Sequence, residues 1–260
     1  MRNYENPLVT SENRMNPRSY YIPEGVSELQ MLNGEWSFKY YKRDIDVKDE
    51  IADWDKIMVP SCWQLQGYDD LNYTNINYPY PVDPPYVPDD NPCGVYQREF
   101  DIKKVWGKIY FVLEGVSSCA YIYVNKEYVG FTQGSHLQAE FDITKFVTKG
   151  TNTIQVRVLK WCCGSYLEDQ DFWRFGGIHR SIHLVHTPDI RIRDYVVRTL
   201  PAVQGNYQDF RLLIDPQFSV YQGMDGKGYT LQAVLKDADG REIVNMVGNV
   251  EDILDLEHKA

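Results

Sequence analysis

The segment from Gly164 to Arg180 concentrates the residues of this chain that could do chemistry. Three carboxylates, Glu168, Asp169 and Asp171, lie there among aromatic residues, and two adjacent glycines follow them. Carboxylates accept hydrogen bonds from sugar hydroxyls, and aromatic rings cover the apolar C–H faces of a pyranose. The segment is therefore a candidate sugar-binding loop, although an acidic loop between two strands is more often a solvated turn.

The composition narrows the classes of partner. The chain has 260 residues, 43% of them hydrophobic and 14% aromatic, which is enough for one large β domain or one and a half ordinary ones. A net charge of −10 argues against nucleic acid and anionic membrane surfaces as partners. The sequence shows neither a signal peptide nor an apolar run long enough to span a bilayer. We therefore expect a cytoplasmic protein.

The cysteines follow no metal-binding pattern, and their number is odd. They are Cys62, Cys93, Cys119, Cys162 and Cys163. A vicinal pair such as Cys162-Cys163 rarely forms a disulfide, because the geometry is strained. We expect free thiols in a reducing compartment.

Strand-like alternation of apolar and polar residues dominates the chain, and helical periodicity is nearly absent. The segment Tyr121–Val129 predicts a hairpin around Asn125-Lys126, and Asp237–Gly240 predicts another turn. Short strands at this density predict an all-β protein built from β-sandwiches of the jelly-roll kind. Residues 60–93 form a proline-rich excursion, and a stretch of that length inside a compact domain is usually a functional loop.

Three segments follow from this pattern. We predict an extended N-terminal arm at residues 1–30 and the jelly-roll domain at residues 31–186. We predict an immunoglobulin-like β-sandwich at residues 187–260. They are fewer than the roughly 100 residues such a domain needs, so we expect the second domain to be incomplete.

Several sequence blocks occur in an order that resembles the N-terminal region of bacterial β-galactosidases of glycoside hydrolase family 2. The resemblance spans residues 5 to about 186, and the ordered set is far more specific than any single block. The blocks are Glu5-Asn-Pro7, Leu32-Asn-Gly-Glu-Trp36, Val59-Pro-Ser-Cys-Trp-Gln64, Gly67-Tyr68, Tyr73-Thr-Asn-Ile-Asn-Tyr-Pro79, Pro84-Pro-Tyr-Val-Pro88, Asn91-Pro92, Gly130-Phe-Thr-Gln-Gly-Ser135, Ala139-Glu-Phe-Asp-Ile143 and Gly164-Ser-Tyr-Leu-Glu-Asp-Gln-Asp-Phe-Trp-Arg174.

The resemblance implies a galactose-binding-like jelly roll, an immunoglobulin-like sandwich, a TIM barrel that carries the chemistry, and further β domains. The chain matches only the first part, so it is expected to be a non-catalytic fragment that lacks the two catalytic glutamates. The whole enzyme would be a homo-oligomer that hydrolyses terminal β-galactosides with retention, by means of two carboxyl groups about 5 Å apart.

Two residues match the family's substrate contacts. Asn75 falls on its substrate-binding asparagine, and Asp171 falls on an aspartate that contacts both sugar hydroxyls and a sodium ion. Oxygen ligands suit a hard cation, and the sodium ion would take its other ligands from the barrel. Without the resemblance, Asn75 would be a turn amide and Asp171 a strand-end cap or a partner for Arg174.

The resemblance also implies a magnesium site near the N-terminus, with ligands matched at Asn6, the Val9 carbonyl and Gln133. Cys162-Cys163 stand where the family has Ser-Asp, and Asn3 stands where an acid is expected. A thiol is a poor magnesium ligand, so we expect at most a weak site.

Three alternatives stay open. The chain could come from another family 2 glycosidase, a β-mannosidase or β-glucuronidase, although the Tyr73-Thr-Asn75 and Asp169-Gln-Asp171 blocks argue against that. It could be a stand-alone carbohydrate-binding module, or it could act mainly in subunit assembly.

Overall fold

A computed structural model describes residues 2–19, 24–25, 28–201, 209–221 and 223–257. The described residues separate into two compact units. The first is drawn from Met1–Pro17 and Ser27–His186, and the second from Arg18–Val26 and Thr187–Ala260. The arm expected at residues 1–30 thus contributes to both units. The fold is all-β, as the sequence predicts.

The first unit is a jelly-roll sandwich of two antiparallel sheets. The seven-stranded sheet has the order β1-β10-β9-β12-β7-β3-β4, and the four-stranded sheet has the order β11-β8-β15-β2. The strands of the larger sheet are β1 (Ser11–Glu12), β3 (Gly34–Tyr41), β4 (Asp55–Val59), β7 (Cys93–Ile102), β9 (Cys119–Val124), β10 (Glu127–Gln133) and β12 (Gly150–Leu159). Those of the smaller sheet are β2 (Glu28–Met31), β8 (Lys108–Leu113), β11 (Ala139–Asp142) and β15 (Ile182–Thr187).

Two small ribbons connect the loops of this unit. They are β5 (Ser61–Cys62) with β14 (Gly177–Ile178), and β6 (Asn72–Tyr73) with β13 (Trp173–Arg174). Short 3₁₀ helices lie at Asn3–Glu5, Asp44–Asp46, Trp63–Gln66, Thr144–Phe146 and Cys163–Tyr166.

The main core lies between the two sheets, where Trp36, Phe38, Tyr96, Phe111 and Phe141 are almost fully buried. Successive residues of a strand point to opposite faces, so other residues of the larger sheet, such as Val95 beside Tyr96, belong to a second buried cluster on its far side. Tyr4 from the N-terminal arm belongs to this second cluster and is 2% exposed. The arm is therefore packed on the sandwich around Tyr4, and β1 extends the sheet edge.

The second unit contains two antiparallel ribbons and one helix. The ribbons are β16 (Ile190–Pro201) with β17 (Phe210–Val220), and β18 (Thr230–Lys236) with β19 (Glu242–Asn249). The helix α1 (Val250–Glu257) was not predicted, although Val250, Ile253 and Leu254 have helical spacing. No helix among the described residues has both the length and the apolar character that crossing a membrane requires.

Candidate functional site

The pairing of β6 with β13 brings together the two loops that the sequence analysis singled out. Tyr73 lies directly opposite Trp173, and Asn72 lies opposite Arg174. The Tyr73 and Trp173 rings are in contact, with their centroids 5.5 Å apart. Asn75 and Asp171, about 100 residues apart in sequence, thereby become neighbours at one exposed surface.

Tyr73 joins Asn75 to Asp171. Its hydroxyl donates a hydrogen bond to Asp171 Oδ1, and Asn75 Nδ2 donates to the same hydroxyl over 3.3 Å. Asn75 and Asp171 are exposed, and Tyr73 is half-buried. Phe172 and Trp173 beside them are 39% and 50% exposed. The surface therefore combines an amide, a carboxylate and two accessible aromatic rings, which is the chemistry of a sugar site.

Arg174 pairs with Asp169 rather than with Asp171. Its guanidinium donates to Asp169 Oδ1 over 3.3 Å, to the Gln170 carbonyl over 3.0 Å and to Thr74 Oγ1 over 2.6 Å. Arg174 and Thr74 are both buried. The idea of Asp171 as a partner for Arg174 is therefore wrong, and Arg174 instead links the Tyr73–Asn75 segment to the acidic loop.

Lys160 is a site residue that the sequence analysis missed. It is 2% exposed, and its Nζ donates to Asp69 Oδ2 over 2.6 Å, to Asn72 Oδ1 over 2.6 Å and to the Asp70 carbonyl over 2.8 Å. Burial lowers the pKa of Lys160, although the Asp69 carboxylate opposes that effect. The only sequence signal was a charged residue at the end of an apolar strand.

The third carboxylate of the acidic loop has a structural partner. Glu168 accepts hydrogen bonds from the Ser135 backbone N–H over 2.7 Å and from Ser135 Oγ over 2.5 Å. The loop is thus joined to the segment after β10. A cavity of about 130 Å³ lies below the loop, and Phe172, Phe175 and Trp161 supply aromatic walls to it.

The two adjacent glycines at the end of the loop are required by close packing. A Cβ on Gly176 would come within 2.0 Å of the ring of Trp63, which is fully buried. The Gly176 N–H donates to Gln64 Oε1 over 3.0 Å, and the Trp63 N–H donates back to the Gly176 carbonyl over 3.0 Å. Trp36 and Trp63 are core residues, whereas Trp173 is half exposed at the site.

The residues implied as a magnesium site do lie together, but they do not suit the ion. Gln133 Nε2 donates to the Val9 carbonyl over 2.8 Å, and the Cys163 thiol donates to Gln133 Oε1 over 3.4 Å. Asn6 Oδ1 accepts from the Leu8 N–H over 3.1 Å. Burial raises the pKa of Cys163, which favours the neutral thiol. These neutral groups are hydrogen-bonded within the chain and include no carboxylate, so the donor set does not fit magnesium.

The cysteines otherwise agree with the expectation. All five are free thiols, and Cys93, Cys119 and Cys162 are buried. Burial raises the pKa of Cys62 to about 11 and that of Cys93 to about 12, which favours the neutral thiol in both. Among the described residues there is no group of three or more His, Cys, Asp or Glu side chains that could hold a metal ion.

Comparison with known proteins identifies the family. Residues 29–188 match the family described as "Glycosyl hydrolases family 2, sugar binding domain". A β-galactosidase of Yersinia enterocolitica is 39% identical over 92% of this chain, and one of Pectobacterium atrosepticum is 37% identical over 96% of it. The chain spans about a quarter of the length of these relatives, 25% and 26% respectively.

Solved structures show the same fold at lower identity. A β-glucuronidase from Ruminococcus gnavus in complex with D-glucaro-d-lactam matches 89% of this chain with a TM-score of 0.65 at 17% identity, over 40% of its own length. A β-glucuronidase from an uncultured Clostridium species matches 91% of this chain with a TM-score of 0.62 at 20% identity, again over 40% of its own length. With its jelly-roll fold, its family match and these relatives, the chain belongs to glycosyl hydrolase family 2 and contains that family's sugar-binding domain.

Proposed function

We propose that this chain is the non-catalytic N-terminal part of a retaining β-galactosidase, in which it shapes the galactose subsite and packs on a TIM barrel elsewhere in the same polypeptide. The observation that carries the proposal is the exposed Asn75–Tyr73–Asp171 cluster beside two accessible aromatic rings. An amide and a carboxylate bind hydroxyl groups, and aromatic rings bind the apolar face of a pyranose.

The catalytic carboxylates are proposed to lie outside this chain. A retaining glycosidase needs one carboxyl group as acid/base and a second as nucleophile, about 5 Å away. In the acidic loop, Glu168 is engaged by Ser135, Asp169 by Arg174 and Asp171 by Tyr73. Because the buried Ser135 and Arg174 hold Glu168 and Asp169 in place, we do not propose that the loop supplies such a pair.

The charge of the site favours a neutral sugar over a uronic acid. The exposed charged group of the cluster is the Asp171 carboxylate, which would repel a glucuronate. The neighbouring cation, Arg174, is buried and already paired with Asp169. This argument favours the galactosidase over the glucuronidase alternative. A mannoside is also uncharged, so the charge argument does not separate a β-mannosidase from a β-galactosidase. The substrate assay distinguishes them.

The same proposal includes a sodium ion at Asp171 in the whole enzyme. Asp171 uses Oδ1 to accept from Tyr73, and an exposed carboxylate with a second oxygen suits a hard cation. The neutral donors at Asn6, Val9 and Gln133 lead us to propose that no magnesium ion binds there. A homo-oligomeric, cytoplasmic enzyme completes the proposal.

The test is hydrolysis by the full-length polypeptide. It should cleave an aryl β-galactoside with a kcat/KM at least about a hundred-fold above that for the matching β-glucuronide or β-mannoside. Proton NMR should show the β anomer of galactose as the first product. A preference for the glucuronide or the mannoside would reject the galactosidase proposal and select the corresponding alternative.

A further inference from the structure

The far face of the seven-stranded sheet carries a row of uncharged side chains that crosses five strands. Tyr128 is 40% exposed, and the other members are half-buried. Adjacent strands are about 4.8 Å apart, so the row is roughly 20 Å long and accommodates a linear chain of several sugar rings. Read in register from β10 through β9, β12 and β7 to β3, this tyrosine–glutamine row consists of Tyr128, Tyr123, Gln155, Gln97 and Ser37.

One end of the tyrosine–glutamine row is aromatic. The rings of Tyr123 and Tyr128 are in contact, with their centroids 5.6 Å apart. The Tyr128 hydroxyl donates a hydrogen bond to Glu12, and this contact fixes the position of the more exposed ring. Aromatic rings of this kind cover the apolar C–H faces of a pyranose.

The middle of the row is a pair of amides on adjacent strands. Gln155 Nε2 donates to Gln97 Oε1 over 3.4 Å, and both side chains are partly accessible. This contact uses neither the nitrogen of Gln97 nor the carbonyl oxygen of Gln155. The pair therefore presents a donor beside an acceptor, which suits sugar hydroxyls because they both donate and accept hydrogen bonds.

The charged side chains nearest to the row are engaged elsewhere in the protein. Arg157 Nη2 donates to the Asp44 carbonyl over 2.5 Å, and Lys39 Nζ donates to the Asp53 carbonyl over 2.8 Å. Solvent-facing surfaces usually carry many Lys, Arg, Glu and Asp residues, and a quarter of this chain is charged. An uncharged row on such a chain favours an uncharged ligand.

We infer that the tyrosine–glutamine row is a second carbohydrate site, which binds an extended, uncharged oligosaccharide across the strands. The ligand class is a β-1,4-linked chain of neutral pyranoses, because such chains are extended and match a linear row. The inference goes beyond the proposed function and does not depend on Asn75 or Asp171. Tyrosine is also common in protein interfaces, but the core of such an interface is more apolar than a row with two glutamines and a serine.

Cellohexaose is the probe, and the full-length polypeptide is the protein to test. This oligosaccharide contains no galactoside, so the proposed activity would not cleave it. Calorimetry should give a Kd of about 1 mM or tighter. Cellobiose covers only part of the row and should bind at least about tenfold more weakly. Maltohexaose has the same number of glucose units but a coiled chain, and it should also bind more weakly.

Single substitutions in the row should weaken cellohexaose binding without changing galactoside hydrolysis. Tyr128→Ala removes the exposed ring, and Gln97→Ala removes one amide of the pair. Each should raise the Kd about threefold to tenfold. Gln232→Ala is the matched control, because Gln232 donates to Asn245 over 3.0 Å in another exposed cross-strand amide pair that lies outside the row. It should leave the Kd unchanged, and melting curves check that each variant is folded.

Three outcomes would overturn the inference. They are the absence of saturable cellohexaose binding, an unchanged Kd in both Tyr128→Ala and Gln97→Ala, and an equal rise of the Kd in Gln232→Ala. Self-association that Gln97→Ala abolishes, without glycan binding, would assign the row to a second copy of the chain and also overturn it. Asp171→Asn separates the two proposals, because it should lower galactoside turnover and leave cellohexaose binding intact. A wild type that binds cellohexaose but cleaves no galactoside would reject only the proposed function.

Discussion

The three carboxylates of the acidic loop have three different partners. Those partners distinguish the carboxylates with a structural role from the one that could bind a ligand. Glu168 accepts from Ser135, Asp169 from Arg174, and Asp171 from Tyr73. The first two contacts involve a buried side chain of the domain, whereas Asp171 and its partner lie at the surface. Asp171 is therefore the exposed carboxylate of the loop that no buried side chain holds.

Replacing Asp171 with Asn in the full-length enzyme should lower galactoside turnover and leave the fold unchanged. The amide can still accept from Tyr73, but it loses the charge that strengthens a bond to a sugar hydroxyl. We expect a loss of roughly 1.5–3 kcal/mol, about ten- to a hundred-fold in kcat/KM. Steady-state kinetics measure the loss of turnover, and thermal unfolding checks that the fold is unchanged. An unchanged kcat/KM would mean that Asp171 does not contact substrate.

In contrast to Asp171→Asn, Asp169→Asn is expected to lower the stability of the chain more than its activity. Arg174 is buried, so weakening its ion pair leaves a guanidinium with fewer acceptors. Because Asp169 itself is 44% exposed, solvent reduces the effect, and we expect a loss of about 1 kcal/mol in the free energy of unfolding. Urea denaturation measures it. Equal losses of activity in both variants, with unchanged stability, would contradict this division of roles.

At the scale of elements, two buried cations hold the site loops on the sandwich. Lys160 follows β12 and binds Asp69 before β6 and Asn72 within it, and Arg174 in β13 binds Thr74 just after β6. The ribbon itself has only two residue pairs, which is too little to be stable without these contacts. The cations therefore determine where the ribbon lies.

Lys160→Met should destabilise the chain strongly. The change leaves the Asp69 carboxylate, which is 12% exposed, without its cation, and breaking such a buried pair typically costs about 3–5 kcal/mol. Urea denaturation followed by tryptophan fluorescence measures the loss. Lys56→Met is the matched control, because its pair with Glu35 is exposed and should contribute less than about 1 kcal/mol. Similar losses for the two variants would show that the buried pair stabilises the chain no more than the exposed pair does.

A second ion pair, between β8 and β11, predicts a pH dependence of stability. Burial alone would raise the pKa of Asp142, but the hydrogen bonds from Lys108 and Thr144 outweigh it and lower the pKa below the ordinary 3.8. A carboxyl whose pKa is lowered by folding stabilises the protein above its unfolded pKa, and that contribution is lost as pH falls through the folded pKa.

Asp142→Asn should therefore lower the free energy of unfolding at pH 7, on the order of 1 kcal/mol after discounting for partial exposure. The difference from wild type should shrink below about pH 4, where the wild-type carboxyl begins to take up a proton. Urea titrations across that range provide the measurement. Lys108→Met should lose a comparable increment at pH 7, and a gap between wild type and Asp142→Asn that grows in acid would contradict the assignment.

For the molecule as a whole, we expect the 260-residue chain by itself to be inactive on aryl galactosides and to bind galactose weakly, with a Kd of about 1 mM or weaker. Asn75 and Asp171 supply part of one subsite, and a few hydrogen bonds contribute about 1 kcal/mol each. Calorimetry on the isolated chain, with Asp171→Asn as the control, measures this. Micromolar affinity that depends on Asp171 would support the stand-alone module instead.

The sequence by itself determined the features that depend on neighbours along the chain. Asn125 and Lys126 have φ values of 51° and 69°, as a tight hairpin requires, and they join β9 to β10 where alternation predicted the turn. The turn before β19 is likewise confirmed, with Gly240 at a φ of 81°. Local turn chemistry and period-two alternation act over a few residues, so a sequence contains them directly.

Only the tertiary structure decided which charged group holds which loop. Lys160 binds Asp69 across 91 positions, Arg174 binds Thr74 across 100, and Tyr73 binds Asp171 across 98. The sequence offered Asp171 as a partner for Arg174, whereas the structure pairs Arg174 with Asp169, and the only signal at Lys160 was a charged residue at the end of an apolar strand. The sheet register chooses between such candidates, because buried charges must be paired and the pairing is set by strands that are distant in the chain.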